Sequence, residues 1–549
     1  MRELRFPVPI TDALVAVLVT SCLSLQVRAQ SIEFADGVEA GQITKNDLAE
    51  VSGLTASRSN PGVLWVHNDQ SRDSVYAVST NGQILATYRL GEDVNDFEDI
   101  AMGPGPEPEL QYLYCGDIGD NSATRSSIRV YRAAEPAVYA YFAANPISEN
   151  FPLVERVTLT YPDGSYNAEA LMIDPLTGDL YLATKQRNIT RLYRAARSQL
   201  QDKATVVLTF AGQLDFDEVS AGDISPDGRE ILLRQENFAR LWRRPPGQDV
   251  AEALAGEAVE VPVIGMPTEP NGEGVAFHAG GLGYYTVSEG AKPAIYFFAK
   301  TVGSVPPQPR ILIPPGSAWK YLDNGSDQGT AWRAPAFSDA AWRSGAAQLG
   351  YGDDDQRTEI SFGSDKDVKH LTTYFRNKFM VENPVALGDL TVRLVFDDGV
   401  AVFLNGAEVL RRNLPANAAF SEAALAPGGS LENLWQSFAI TNVLQPGTNT
   451  VAVEVHRRSR SENDLSFDLQ LLAAAPEERL RFTGPPRRVS AGAWALDFQG
   501  PVGGAVIVEA SSALANWSHL GSVALVNGQG SFTNTVPTGT AWNFYRLRQ

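Results

Sequence analysis

Asn95-Asp96-Phe97-Glu98-Asp99-Ile100-Ala101 is followed, across a Pro/Gly loop, by Cys115-Gly116-Asp117-Ile118-Gly119-Asp120-Asn121. Two short apolar strands thus carry five carboxylates. Weaker copies of the same unit recur on both sides. Strand openings read Ser52-Gly53-Leu54, Glu98-Asp99-Ile100, Glu169-Ala170-Leu171, Gly222-Asp223-Ile224 and Glu273-Gly274-Val275. A second strand follows each and ends in polar residues: His67-Asn68-Asp69, Gly116-Asp117, Thr184-Lys185, Glu236-Asn237 and Ser288-Glu289. A third strand carries an aromatic residue, as at Val75-Tyr76 and Leu241-Trp242, and four copies have a fourth strand. Four strands at a spacing of about 45 to 70 residues predict β-propeller blades.

The reading is therefore all-β, with a propeller over residues 31–300. Five blades are counted, and six is the alternative if Glu135–Asp163 holds another. Ser31–Thr44 is available to supply the strand missing from the fifth copy and so close the ring, removing exposed sheet edges. Val51-Ser52-Gly53-Leu54-Thr55, Asn81-Gly82 before Ile84–Leu90, and Asp96-Phe97-Glu98-Asp99-Ile100 resemble the SdiA-regulated family of secreted bacterial propellers. The resemblance covers about Glu50–Lys300 and is strongest in the first two blades. It implies a propeller in an envelope or extracellular setting and no settled activity. The Asp117–Asn121 motif and the insertion Pro104–Glu109 depart from it.

Pro-rich residues 301–316 read as a linker. From 317 to 475 the pattern changes to longer alternating strands. Leu390–Phe396 has period two, Asp397-Asp398-Gly399 turns the chain, and Asn405-Gly406 is a type I′ hairpin signal. These residues, with Gly447-Thr448-Asn449 before the strand Val451–Val455, resemble the galactose-binding-like jelly roll, as in the sugar-binding domain of family 2 glycoside hydrolases. The resemblance rests on structural positions and implies a fold more than a ligand. A second break at 476–486 precedes a small all-β module, 487–549, which looks like the C-terminal modules of many secreted proteins of environmental bacteria.

The chain of 549 residues has net charge -19. That charge argues against nucleic acid and anionic membrane as partners, and favours cations, neutral sugars or basic partners. Residues 1–29 read as an export signal: Arg2 and Arg5, an apolar stretch Ala13–Leu25, and Val27-Arg28-Ala29 at the cleavage position. The location expected is secreted or periplasmic, with a lipid anchor on Cys22 as the alternative. No later run is long enough for a transmembrane span. The mature chain keeps one thiol, Cys115, read as a buried structural residue.

Matching positions of a propeller repeat converge in space. Glu98, Glu169, Asp223 and Glu273, with Asp117 and Asp120, are therefore the candidate metal ligands. A hard cation, Ca²⁺, best relieves their mutual repulsion; backbone capping by the same carboxylates is the alternative. His67, Asp69, Asn121, Lys185, Glu236 and Glu289 are the candidate ligand-binding residues at the strand ends. Tyr351, Tyr374 and Trp435 are the candidate sugar platforms of the jelly roll. The run Asp353-Asp354-Asp355 is a further cation candidate, read first as a solvated loop. With no phosphate loop, a nucleotide or other organic cofactor has no support; the lack of a Gly-x-Ser-x-Gly elbow argues against a Ser hydrolase, and scattered histidines with no His-Glu-x-x-His argue against zinc. The function expected is binding of an extracellular glycan or envelope component. A hydrolase of the glycosidase or esterase type, using Glu98, Glu169 or Glu273, is the first alternative, and a protein-interaction scaffold the second.

Overall fold

The computed structural model describes residues 33–45, 48–69, 73–302 and 308–474, and, further on, 481–490, 493–500, 505–511, 518–525, 529–535 and 544–548. The export signal and Cys22 lie outside the described residues. Among those described, no helix is long and apolar enough to cross a membrane.

Phe34–Ala299 and Gln308–Ala475 belong to one compact unit. Its first part consists of five sheets laid down in chain order, antiparallel apart from parallel edge strands in the first and second. The innermost strands are Val51–Ala56, Phe97–Pro104, Ala168–Ile173, Ala221–Ile224 and Gly272–Phe277. Each packs against the next, and Gly272–Phe277 also packs against Val51–Ala56, so the ring closes with five blades. Inner and second strands are buried on both faces, as at Val63–Asn68. This explains their continuous apolar runs.

Hydrogen bonds stitch neighbouring inner strands. Asp99 Oδ2 accepts the Leu171 N–H and Asp223 Oδ2 the Phe277 N–H, both at 2.8 Å. Ser52 and Ser220 hydroxyls donate to the carbonyls of Glu98 and Gly272, also at 2.8 Å. The last sheet is completed by the N-terminal strand Val38–Gln42, paired antiparallel to Ala294–Val302. The interval Glu135–Asp163 makes no sixth blade. Ile147–Asn150 adds a parallel edge strand to the first sheet, and Val154–Thr160 is the fourth strand of the second.

The second part is a sandwich of two six-stranded sheets. Trp319, Phe375 and Phe467 meet at its centre, with ring centroids 5.1 Å and 4.0 Å apart for the two pairs with Phe467. Asn405 and Gly406 both have positive φ, 53° and 87°, as a type I′ turn requires. Arg310–Ile313, inside the stretch read as linker, is a strand of this sandwich and pairs with Leu465–Ala473.

Propeller and sandwich share buried polar contacts. The Arg393 guanidinium donates to the Ser59 carbonyl and to Gln470 Oε1, both at 2.6 Å, and lies 5.1 Å over the Trp435 ring. Ala137 N–H bonds the Asn433 carbonyl, and Ser437 N–H the Glu109 carbonyl. Glu135 gathers the Ser57 hydroxyl, the Ser59 N–H, Asn60 and the Trp65 indole N–H.

The C-terminal module lies in the other compact unit. Its described strands form two small sheets around Leu496, Phe498, Val506, Val508 and Tyr545.

Candidate functional site

The pairing of inner with second strands slips by one residue in several blades. The slips fall between Phe97 and Asp99, between Ala168 and Ala170, and between Gly272 and Gly274. The residues they leave unpaired are Glu98, Glu169 and Glu273. The first blade slips between Val51 and Leu54, at Ser52-Gly53. The fourth pairs in uninterrupted register. A β-bulge re-aims the extra residue's side chain, and here it turns three glutamates toward one mouth of the ring.

Lys185, at the end of the third blade's second strand, holds two of them together. Its ammonium is in contact with Glu169 Oε2 and lies 3.9 Å from Glu273 Oε1. Asn167 donates to Glu169 Oε1 at 3.0 Å and to Asn121 Oδ1 at 3.2 Å. Glu98 sits against Gly119 beside Asp96. A Cβ on Gly119 would lie 2.2 Å from Glu98 Oε1 and 2.4 Å from Asp96 Oδ2. The glycine of the second-blade motif is therefore what lets those two carboxylates approach.

Electrostatics divide the group. Burial first, then the carboxylates of Glu169, Asp96 and Asp69, push Glu98 up to about 10, more than Lys185 offsets. Glu98 is thus a neutral acid at pH 7. Burial raises Glu273 to about 7, and raises Glu169 as well, against the pull of Lys185 on both. Burial lowers the Lys185 ammonium, but Glu273 and Glu169 outweigh it and the net direction is up. Asp69 and Asp96 are raised by burial and by neighbouring carboxylates. The mouth is an acid-rich, proton-sharing group around one cation.

Other residues singled out in the sequence lie elsewhere or act structurally. Asp223 is buried beneath the blades, spending both oxygens on the Ile224 and Phe277 N–H groups. Asp99, in the matching place of the second blade's strand opening, does the same. Asp117 is paired with Arg125 at 2.8 Å and accepts the Asp96 N–H. Asp120 caps the N–H groups of Thr124 and Arg125. The Asp117–Asn121 loop is therefore organised by Arg125 and its own backbone.

His67 is fully buried, stacked on Phe97 at 3.8 Å, and its Nε2 accepts the Gly53 N–H. Burial lowers it to about 3, so it stays neutral and serves the first-blade bulge rather than a ligand. Glu236 is exposed on the unbulged blade. Glu289 accepts from Asn271 at the rim, 2.7 Å. Cys115 is buried, and burial pushes its thiol up.

The sandwich aromatics are not platforms. Tyr351, Tyr374 and Trp435 are 5%, 2% and 3% exposed. Arg457 covers Tyr351, Trp332 packs edge-on against Tyr374, and Trp435 completes the propeller core.

A cation finds no ready cage among the propeller carboxylates. Among the described residues, one group brings three carboxylate oxygens within 4.8 Å of one another: Asp397, Asp398 and Glu432, in the sandwich. The sequence reading took Asp397-Asp398-Gly399 only as a turn. Two adjacent acids at a strand end were the available signal; Glu432 comes from a distant loop that no spacing rule connects to them.

No protein-family model matches the chain, and no curated protein matches it. Among solved structures, a glycosyl hydrolase family 2 member from Bacteroides cellulosilyticus is similar at 14% identity, over 43% of this chain and 33% of that one, with TM-score 0.23. A β-glucuronidase from Ruminococcus gnavus, in complex with D-glucuronic acid, is similar at 12% identity over 45% of each chain, TM-score 0.22. The Bifidobacterium dentium β-glucuronidase, complexed with coumarin-3-O-glucuronide, is similar at 12% identity over 46% of each chain, TM-score 0.22. This chain spans less than half the length of each of the three. Likeness at this level carries no argument about chemistry.

Proposed function

We propose that this chain is an exported binding protein whose propeller mouth takes a neutral, polyhydroxylated ligand, a glycan or glycan-bearing envelope component. The observation that carries the reading is the convergence of three bulge-borne glutamates around Lys185. A sugar hydroxyl both donates and accepts, and the mouth offers both roles. Protonated Glu98 and Lys185 donate; Glu169, Glu273 and Asp69 accept. The export signal read in residues 1–29 and the resemblance to secreted propellers support the same setting.

The test is a glycan array probed with the full mature chain, followed by calorimetry on any hit. Glu169→Gln and Lys185→Met are expected to weaken binding at least tenfold while the circular dichroism spectrum is kept. Binding unchanged in both variants, or no binding to any glycan, would remove the proposal.

A second reading has one observation in its favour. Glu98 is held neutral beside Glu169, which is ion-paired with Lys185. A protonated and an ionised carboxyl side by side is the division of labour a glycosidase needs. In that case Glu98→Gln abolishes turnover of a bound oligosaccharide and leaves its affinity in place. If no sugar that binds is hydrolysed by the unaltered chain, the first reading stands alone.

A further inference from the structure

Asp353-Asp354-Asp355 lies in the sandwich loop that links Leu349–Tyr351 to Thr358–Glu359. The loop folds back on Gln348, whose carbonyl accepts the Arg357 and Thr358 N–H groups at 2.9 and 3.1 Å. The propeller meets the loop from outside. The Tyr141 hydroxyl donates to the Asp355 carbonyl at 2.8 Å. Glu149, on the edge strand Ile147–Asn150 of the first blade, adds its charge to the field at Asp355.

The oxygens here are short of donors. Gln348 is fully buried, and its enclosed amide oxygen Oε1 accepts no hydrogen bond. Asp355 Oδ1 and Gln356 Oε1 are enclosed in the same condition. Gln348 Nε2 donates to Asn433 Oδ1 at 3.3 Å, and Asn433 Nδ2 donates to Asp353 Oδ2 at 3.4 Å. Asp353 only accepts when ionised, so it fixes both amides: turning either one over would set two acceptors face to face. Burial first, then Asp353 and Glu149, lift Asp355 to about 7, against the pull of the neighbouring Gln348 amide. Burial and Asp353 raise Glu149 as well. Arg357 is exposed and lies 5.6 Å over the Tyr141 ring. Among the described residues no basic side chain is ion-paired with Asp353, Asp355 or Glu149. Enclosed acceptors without donors are costly, and here they stand beside uncompensated carboxylates.

We propose that Gln348 Oε1 and the carboxylates of Asp353 and Asp355 bind a divalent cation, Ca²⁺, that ties the 352–357 loop to the edge of the first blade. Every group on offer is an oxygen, which suits a hard ion. Ca²⁺ sits about 2.3–2.6 Å from its ligands, closer than the about 2.8 Å of a hydrogen-bonding water, and so reaches enclosed atoms. Mg²⁺ sheds its waters reluctantly, so enclosed oxygens favour the larger ion. Water on the Glu149 side completes the six to eight oxygens that Ca²⁺ takes. Ile147–Asn150 is the outermost strand of its blade, away from the glutamate mouth, so the site holds or fails independently of the proposed ligand.

The experiment uses the full mature chain, stripped with chelator and dialysed. Calcium chloride is titrated in calorimetrically, and the melting temperature is read with and without the ion. Binding and a rise of at least about 3 °C are expected at saturating ion. Asp355→Asn is expected to lower the affinity at least tenfold. Asp353 is only half-buried, so Asp353→Asn gives a second variant in case the first does not fold. Glu432→Gln, in the other acidic group of the sandwich, and Glu169→Gln, in the propeller, are expected to keep full affinity. The proposal is overturned by no heat and no melting shift with Ca²⁺, or by affinity unchanged in either aspartate variant that folds. Loss of binding in Glu432→Gln or Glu169→Gln would overturn it too, by moving the ion to one of those groups.

Discussion

Glu273 has a carboxyl whose proton is shared out by its surroundings. Burial, ahead of the Glu169 and Glu289 charges, lifts it from 4.5 to about 7 against Lys185 and Arg234. Between those two values the folded chain holds a proton that the unfolded chain has released. The contribution to stability is fully present below pH 4.5 and is lost as pH rises through about 7. The urea midpoint is therefore expected to fall from pH 5 to pH 8, and Glu273→Gln to flatten that fall; equal slopes in the two proteins would contradict the assignment. Gly119 makes a second case at this scale. Its missing Cβ is the space occupied by the Glu98 and Asp96 oxygens. Gly119→Ala is expected to cost about 1–3 kcal/mol by overpacking, measured by chemical denaturation, and to disturb ligand binding at the mouth as well.

Among elements, the bulge is the device that makes a site from a repeat. An unbulged strand would leave the glutamates in ladder register, and the fourth blade shows that alternative. The matched positions Glu98, Glu169 and Glu273 were legible in the sequence because polar residues interrupt otherwise apolar openings at equal spacing. Gly222 occupies the glutamate column in the fourth blade; Asp223 stands one place later, where Asp99 stands in the second, and both carboxylates accept an N–H from the next blade's inner strand. Sequence spacing cannot register a single-residue slip in pairing, and so the set looked larger than it is. Lys185 is the element-end residue that keeps the bulges together. Lys185→Met is expected to destabilise the chain by about 1–2 kcal/mol at pH 8, less than a fully buried pair because the lysine is one-third exposed. The loss should shrink at pH 5, where protonated Glu273 needs no cation. An identical loss at both pH values would mean that Lys185 acts through packing alone.

At the scale of the whole molecule, the propeller and sandwich behave as one body. Arg393, Glu135 and Trp435 form a buried seam across them, and Arg393 is 8% exposed. Removing the guanidinium strands the Ser59 carbonyl and Gln470, so Arg393→Ala is expected to cost about 2–4 kcal/mol. In the unaltered chain, far-ultraviolet dichroism and tryptophan fluorescence should trace one unfolding transition through this unit; in Arg393→Ala the two traces should separate. All-β layers, the repeat and the sandwich hairpin were readable from alternation and turn residues such as Asn405-Gly406. The seam was not. Arg393 and Trp435 sit in ordinary alternating strands, and nothing in a strand's own pattern says that another module covers it. The acid pair Asp397-Asp398 went unread for a related reason: its third member, Glu432, is brought in by a long loop.

The closure of the ring has a consequence in time. Val38–Gln42 is made early in synthesis, but its partner begins at Ala294. At about 5–20 residues per second, the first strand waits on the order of ten to fifty seconds before its partner exists. Throughout that interval the first blade has no neighbour on one side, and an unpaired edge invites association with other chains. An exported chain held unfolded until translocation is complete never passes through that interval, because both ends of the clasp reach the folding compartment together.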